Sequence, residues 1–274
     1  MSPNVDENVV AGFGDEWSRF DQSALAAEEL SSMFEKYFHI FPWDKLPTDA
    51  VGFDLGCGSG RWAKMVAPRV GKLHLIDPSE AIEVAKRNLA GQTNCEFHRA
   101  SVDEIPLADA SCDFGYSLGV LHHIPDTEAG LRKCVAKLKS GAPFLLYLYY
   151  RFDNRPAWFR AVWKMSDVGR RFVSILPHGA RSAVSQVIAT TVYFPLARMA
   201  LLIEKAGADP TSLPLSQYRN NSFYTMRTDA LDRFGTQLEK RFTKVEIGQM
   251  MENCGLTDIT FSDRSFWTAV GYKK

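Results

Sequence analysis

Apolar and polar positions alternate along this chain in two distinct patterns. Short runs rich in β-branched and aromatic residues occur at 51–55, 72–77, 95–100, 112–121 and 143–150. Between them, apolar residues recur every three or four positions. The first pattern predicts buried strands and the second predicts amphipathic helices. Strands that alternate with helices over short loops predict βαβ units, and therefore a parallel sheet with right-handed crossovers.

The end of the chain predicts a different arrangement. Thr243 and Glu246 have the spacing of a capping box, which predicts a helix that ends at Gly255. Residues 256–263 and 266–272 then predict two strands of an antiparallel hairpin. The expected fold is an α/β, Rossmann-like, doubly wound sheet of seven mostly parallel strands, with the hairpin at its C-terminal end and a helical insertion between the fifth and sixth strands.

A glycine-rich turn, Asp54-Leu-Gly-Cys-Gly-Ser-Gly60, follows the first predicted strand and leads into a helix. Its glycines, Gly56, Gly58 and Gly60, permit positive φ angles and close approach of a ligand to the backbone. Backbone amides and the helix dipole at such a turn suit a nucleotide-like ligand.

Further polar residues follow the ends of other predicted strands. Asp77 ends the second, Asp103 follows the third, and His122 and His123 follow the fourth. Ligands of parallel α/β sheets bind outside the carboxyl ends of the strands. We therefore expect these residues and the glycine turn to converge on one cleft.

These residues resemble the class I S-adenosylmethionine-dependent methyltransferases, in particular their small-molecule branch, over residues 53–150 and the C-terminal stretch. The resemblance implies S-adenosylmethionine as the cofactor. In that family a DxGxGxG turn holds the methionine part, an acid ending the second strand binds the ribose hydroxyls, and the segment after the third strand flanks the adenine. The cofactor-binding residues implied here are Asp54, Gly56, Gly58, Gly60, Asp77, Val102, Asp103, Leu118 and Trp17.

Two details of this assignment have alternatives. A Rossmann dehydrogenase would have GxGxxG, but the residue after Gly60 is Arg61, so NAD is the weaker interpretation. Trp17 and Phe20 lie in an N-terminal segment that either folds over the cofactor, where an aromatic face would meet the sulfonium, or fixes the first helix to the domain.

Methyl transfer to a hydroxyl requires removal of a proton, and a histidine can accept it near neutral pH. We choose His123 as the base and His122 as the second candidate, and the alternative is that they order the loop before Pro125. No Asn-Pro-Pro-Tyr-like motif follows the fourth strand, which argues against methylation of adenine or glutamine amino groups. Tyr150, Tyr224 and Arg227 are the predicted acceptor-binding residues; Tyr224 and Arg227 lie in a segment that could equally form a polar loop.

Residues 151–240 depart from the minimal fold. They predict an aromatic helix near residues 158–165 and a second helix over 183–206 that Pro195 divides, and they are rich in Arg and Lys. Three interpretations remain open: a cap that binds the acceptor, a dimer surface, or a basic face on anionic lipid. The predicted domains are an N-terminal helical lid (1–47), a cofactor-binding core (48–150), this insertion (151–240), and a C-terminal helix and hairpin (241–274).

Composition bears on the partners of this protein and on its cellular compartment. The 32 basic and 32 acidic residues balance, so nothing in the total charge indicates nucleic acid. Five scattered cysteines without CxxC spacing argue against zinc, and we predict no metal and a reducing cytoplasm. Residues 1–13 lack a signal pattern. Residues 185–203 are interrupted by Pro195 and Arg198, and we do not expect them to span a bilayer.

The expected function is O-methylation of a small molecule in the biosynthesis of a sugar or secondary metabolite. One alternative is a peripheral-membrane methyltransferase with a lipid-linked or quinone-like acceptor. Another is a cofactor-binding protein of this fold that transfers no methyl group.

Overall fold

The computed structural model describes residues 4–263 and 268–274. The chain forms two compact units. The core unit comprises the residues up to Ser23, Leu30–Arg151 and Leu238–Lys274, and the insertion unit comprises Ala24–Glu29 and Phe152–Gln237. The division of the chain into four functional segments stays a prediction.

The core unit contains one seven-stranded sheet. Its strands are β1 (Val51–Leu55), β2 (Lys72–Ile76), β3 (Cys95–His98), β4 (Phe114–Leu118), β5 (Pro143–Tyr147), β6 (Leu256–Phe261) and β7 (Thr268–Lys273). The spatial order is β3-β2-β1-β4-β5-β7-β6. Strands β1 to β5 pair in parallel, whereas β7 is antiparallel to both β5 and β6. The predicted fold is confirmed; residues 266 and 267 of the last predicted strand lie outside the described residues.

The α-helices of the described residues follow in chain order. They are α1 (Glu7–Arg19), α2 (Ala27–Phe38), α3 (Ala63–Val66), α4 (Ala81–Asn88), α5 (Thr127–Lys137), α6 (Ala157–Ser174), α7 (His178–Ile188), α8 (Phe194–Lys205), α9 (Phe223–Gly235) and α10 (Lys244–Asn253). The capping box predicted at α10 is confirmed, because Thr243 and Glu246 exchange side-chain to backbone hydrogen bonds of 2.6 and 3.2 Å.

Large and small residues interlock at the centre of the sheet. Phe53 and Phe114 are fully buried on the adjacent strands β1 and β4. A Cβ on Gly52 would lie 2.2 Å from the Phe114 ring, and one on Gly115 would lie 2.5 Å from the Phe53 ring. Each glycine therefore leaves the space that a neighbouring phenylalanine fills, which holds β1 and the turn after it in a fixed position.

The insertion unit has a small core of its own. Its buried side chains come from the segment around α8 and from α9, and they are Ala189, Tyr193, Ala197, Met226, Ala230 and Phe234. Hence α6 to α9 form a packed helical unit rather than an extended loop.

The prediction that Pro195 divides the second helix of the insertion is wrong. One continuous helix runs from His178 to Lys205, with a π-helical turn at Ala189–Tyr193 just before Pro195. This wider turn accommodates the proline ring. The hydroxyls of Thr190 and Thr191 donate to carbonyls one turn earlier, at 2.9 and 2.8 Å.

This helix has 28 residues and contains an 18-residue window with a mean hydropathy of 1.5, so it is long and apolar enough to cross a membrane by length and composition alone. Our expectation that it does not span a bilayer rested partly on a break at Pro195 that the structure does not have.

Candidate functional site

The glycine turn after β1 adopts a conformation that suits glycine. Gly56, Gly58 and Gly60 have φ angles of 77°, 52° and 77°, a region that L side chains rarely adopt. A Cβ on Gly56 would also lie 2.3 Å from Val120. The Gly56 amide donates to the Ile76 carbonyl at 2.7 Å, so the turn is held against the end of β2.

Asp77 fastens the turn from the other side. One carboxylate oxygen accepts from the Gly58 amide at 2.9 Å, and the other accepts from the amide and hydroxyl of Ser79 at 2.9 and 2.6 Å. Burial raises the pKa of Asp77, and these hydrogen bonds oppose the rise. The structure thus brings this acid and the glycine turn together, as the sequence predicts.

Asp54 is the most unusual group of the site. It is 1% exposed, and its Oδ2 has no hydrogen-bond partner among the described residues. Burial raises the pKa of Asp54 to about 8, and the negative charge of Asp77 adds to the rise, while the Tyr116 hydroxyl and the Arg61 guanidinium oppose it. An orphaned buried carboxylate oxygen is costly. This position is therefore ready to receive a cationic group.

Trp17 lies against the glycine turn. A Cβ on Gly58 would be 3.0 Å from the indole nitrogen of Trp17. The Arg61 guanidinium lies 5.3 Å from the Trp17 ring and 4.6 Å from the Trp62 ring. Helix α1 also packs against α4. These contacts are compatible with both functions considered for Trp17, as a lid and as an anchor of the helix.

Val102 and Asp103 lie on a short 3₁₀ turn after β3. Val102 is buried in the main core. Asp103 accepts from Lys133 at 2.7 Å and from the backbone amide of Asn4 at 2.6 Å. The Lys133 ammonium, with the Asn4 amide, holds the pKa of Asp103 below its usual range. Both oxygens of this carboxylate already have partners within the chain.

The two histidines follow Leu118 and the end of β4, on a 3₁₀ turn at Leu121–His123. The Nδ1 atom of His123 lies 2.7 Å from the Leu238 carbonyl. Because a carbonyl only accepts, Nδ1 of His123 carries the proton of this hydrogen bond. In neutral His123 the basic lone pair is therefore on Nε2.

His122 has a different environment from its neighbour. It is fully buried, and neither ring nitrogen has a hydrogen-bond partner among the described residues. Burial, with the nearby His123 and Arg241, lowers the pKa of His122 well below its ordinary value. His122 is neutral at physiological pH, with its ring 3.9 Å from those of His123 and Tyr149.

Sequence reasoning missed a polar and aromatic group beside the histidines. Arg241 pairs with Glu239 at 2.7 Å; the Glu239 side chain is 1% exposed and that of Arg241 is 11% exposed. The Arg241 guanidinium also lies 5.1 Å from the Tyr149 ring. No motif marks residues 238–242; only the return of the chain to the ends of β4 and β5 brings them here, through bonds such as Lys240 amide to His122 carbonyl at 3.1 Å.

An aromatic cluster lies nearby in the core unit. The Tyr37 ring is 5.0 Å from Trp62 and 5.1 Å from Tyr147, and the Tyr147 ring is 5.9 Å from Tyr149. The strongly aromatic end of β5 was the available signal in the sequence. Tyr37 carried no such signal because it lies on α2, far away in the chain.

The three predicted acceptor-binding residues fall in both units. Tyr150 follows β5 in the core unit, and its carbonyl accepts from Arg241 at 3.2 Å. Tyr224 and Arg227 are on α9 of the insertion unit, where the Arg227 guanidinium donates to Gln186. Their role in acceptor binding stays a prediction.

A second cluster of polar residues lies on β2 and β3. His74 Nδ1 is 3.1 Å from His98 Nε2 and 3.2 Å from Glu96, whose other oxygen pairs with Lys72 at 2.6 Å. These histidines and Glu96 are the only group within the described residues that is close enough to hold a metal ion. The Lys72 ammonium already neutralises the carboxylate and would repel a cation, so we interpret the cluster as a side-chain network of the sheet.

Comparisons with known proteins agree with this geometry. Residues 53–146 match the family described as a methyltransferase domain. A ubiquinone biosynthesis O-methyltransferase of Xanthomonas axonopodis pv. citri (strain 306) is 25% identical over 190 residues, covering 67% of this chain and 74% of the relative. A 27-O-demethylrifamycin SV methyltransferase of Amycolatopsis mediterranei (strain S699) is 24% identical, covering 91% of this chain and 83% of the relative.

Among solved structures, a SAM-dependent methyltransferase of Methanosarcina mazei matches with a TM-score of 0.50 and 16% identity, over 85% of this chain and 98% of the other. This likeness concerns the fold. Fold, glycine turn and sequence relatives together define a methyltransferase domain. The chain belongs to the class I S-adenosylmethionine-dependent methyltransferases, and S-adenosylmethionine is its cofactor.

Proposed function

We propose that this enzyme methylates a hydroxyl group of a small-molecule acceptor. The Xanthomonas relative is named an O-methyltransferase, and the name of the Amycolatopsis relative gives an O-demethylated compound, 27-O-demethylrifamycin SV. The observation that carries the proposal is the hydrogen bond from His123 Nδ1 to the Leu238 carbonyl, which leaves Nε2 as the basic atom beside the end of β4.

The cofactor would be held by the residues around the glycine turn. Asp54, with its orphaned Oδ2 and raised pKa, fits the α-ammonium of the methionine part, because pairing would supply the charge that this buried carboxylate lacks. Asp77, just after β2, fits the ribose hydroxyls through Oδ2, which accepts only from the Gly58 amide here and can accept a second bond, whereas Oδ1 already accepts two bonds from Ser79. When bound, S-adenosylmethionine supplies a methyl group on a cationic sulfur.

His123 would act on the acceptor. Its Nε2 accepts the proton of the acceptor hydroxyl as the oxygen becomes nucleophilic, while the Leu238 carbonyl stabilises the imidazolium through Nδ1. His122 is less suited to this role because burial keeps it neutral. We assign it to packing between His123 and Tyr149.

The aromatic cluster favours one kind of acceptor. Tyr37, Tyr147 and Tyr149 present ring faces and edges near the histidines, and these suit a flat or apolar acceptor better than a free sugar. A ring-bearing secondary metabolite or a quinone-like compound is therefore our preferred acceptor class.

The test uses hydroxylated ring compounds and mass spectrometry. We expect products that gain one methylene in the presence of S-adenosylmethionine. His123→Ala should lower kcat by about 100-fold or more, while the Kd for S-adenosylmethionine changes less than about threefold. His178→Ala, which removes an exposed histidine of α7, is the matched control and should leave both values unchanged. Equal losses of turnover and cofactor affinity in His123→Ala would show a structural role instead.

A further inference from the structure

Exposed apolar side chains are concentrated in one part of this protein. Of the twelve large apolar side chains that are exposed in the described part of the chain, eleven lie in the insertion unit. The twelfth is Val245 on α10. Soluble proteins commonly expose single apolar residues, but a concentration of this kind marks a surface that contacts an apolar partner.

Helix α6 carries the clearest part of this surface. Its exposed apolar residues recur at intervals of four and three, and they are Trp158, Val162, Met165, Val168 and Phe172, with Ile175 at the C-cap. At about 100° per residue they form an arc of roughly 140° on one side of the helix.

The opposite side of α6 packs against the unit through its two buried polar residues and through the partly buried Val173. Arg170 and Ser174 are its buried residues, and the Arg170 guanidinium donates to the Thr236 carbonyl at 2.7 Å. The usual surface helix has its apolar side inward and its polar side outward. In helix α6 the two buried residues are polar and the apolar arc is exposed, so the unit does not cover this arc.

Basic residues accompany the apolar arc. Helix α6 has four basic residues and one acidic residue, and residues 152–237 have eleven Lys and Arg against six Asp and Glu, whereas the whole chain is neutral. The exposed residues Arg160, Lys164 and Arg171 lie along one edge of the arc. A second copy of this surface would meet it with charge of the same sign, whereas anionic lipid would meet it with the opposite sign.

The neighbouring long helix is bound to its own unit. The guanidinium of Arg181 donates to the Gly235 carbonyl at 2.5 Å, and that of Arg198 donates to the carbonyls of Arg219 and Asn221 at 2.8 and 3.1 Å. Inserting this helix across a bilayer would break these bonds. The membrane contact that keeps the unit intact is therefore one at the surface.

We infer that α6 is an interfacial helix that binds the insertion unit to an anionic phospholipid surface, with the apolar arc at the acyl boundary and the basic edge at the phosphates. The apolar side chains and the charge both favour this occupant. The inference goes beyond the proposed function, because it says where the enzyme works and holds whichever acceptor it methylates.

The full chain should be tested with extruded vesicles of phosphatidylcholine alone and of phosphatidylcholine with phosphatidylglycerol. We expect co-sedimentation with the anionic vesicles, at least tenfold weaker binding to the neutral ones, and release as the salt concentration rises. Absence of binding to both kinds of vesicle would overturn the inference.

Substitutions in the apolar arc of α6 test whether this arc binds the vesicles. The double variant Met165→Glu with Phe172→Glu, at positions 75% and 68% exposed, should weaken vesicle binding at least tenfold. Val245→Glu, at a position 79% exposed in the core unit, is the matched control and should bind as the wild type does. Unchanged binding of the double variant would contradict the inference.

Two further measurements separate the competing occupants. The arc would be assigned to self-association if light scattering shows that the wild type is a dimer and the double variant is not, and if the wild type does not bind vesicles. Protein that stays with vesicles after alkaline carbonate extraction would assign the contact to a span over residues 178–205; either result overturns the inference. Titration with S-adenosylmethionine, expected to be unchanged in the double variant, confirms folding and keeps this test separate from that of the methyl transfer.

Discussion

The raised pKa of Asp54 predicts that cofactor binding releases protons. In the free protein the pKa of Asp54 is about 8 because the carboxyl is buried beside Asp77. If the α-ammonium of S-adenosylmethionine pairs with Asp54, the ionised carboxylate becomes the stable form. Addition of cofactor at a pH where Asp54 is still protonated should therefore release the proton of Asp54.

The number of protons released follows from two ionisation equilibria, that of Asp54 and that of the α-amino group of the cofactor. At pH 7 a group with a pKa of about 8 is about 90% protonated, so its ionisation releases about 0.9 proton. A free α-amino group, with a pKa of about 7.9, takes up about 0.1 proton when it binds as an ammonium. The net release is about 0.8 proton at pH 7 and about 1 at pH 6, and it approaches zero near pH 8.

Isothermal titration in buffers of different ionisation enthalpy measures this number directly, as the slope of binding enthalpy against buffer enthalpy. Asp54→Asn should remove the release. Asp103→Asn is the matched control, because the lowered pKa of Asp103 means that this carboxyl is already ionised at pH 7. A slope near zero at pH 7 in the wild type, or the same slope in Asp54→Asn, would show that Asp54 does not release a proton when the cofactor binds.

Three further predictions concern stability, measured as the free energy of unfolding in urea. Because folding raises the pKa of Asp54, the contribution of this group to stability is complete below about pH 4 and is lost as the pH rises to about 8. Between pH 5 and pH 8 the free energy of unfolding of the cofactor-free protein should therefore fall by about 4 kcal/mol from this group, and that of Asp54→Asn should not show this fall. Gly56→Ala should cost about 3 kcal/mol or more, owing to its φ of 77° and the contact with Val120, whereas Gly91→Ala, with nothing within 4 Å, should change stability by less than about 1 kcal/mol. Arg241→Met leaves Glu239 buried without its partner and should cost about 3–5 kcal/mol, whereas Lys86→Met breaks an exposed pair with Glu83 and should change little; similar effects in the two variants would contradict this account of the buried pair.

The sequence predicts the sheet and one side of the site well, for local reasons. Short stretches of the chain are enough to recognise the strand periodicity, the capping box at Thr243 and Glu246, and the glycine turn followed by Asp77. Parallel topology then requires the strand ends to lie at one edge, so the convergence of Asp54 and Asp77 could be expected.

The remainder depends on contacts between residues far apart in the chain. The bond that fixes the tautomer of His123 comes from Leu238, 115 residues later, and no local pattern announces it. The helix through Pro195 was missed because a π-helical turn, which has no sequence signature here, absorbs the proline. The periodicity of α6 is visible in the sequence, but only the packing of Arg170 and Ser174 shows that its apolar side faces outward.

The most direct test of the central assignment is the binding of cofactor to the purified full chain. Titration with S-adenosylmethionine should give one site per chain, and Asp77→Asn should weaken it, whereas NAD should give no binding heat because Arg61 stands where a dinucleotide turn requires glycine. Binding of NAD, or no binding of S-adenosylmethionine at millimolar concentration, would contradict the account.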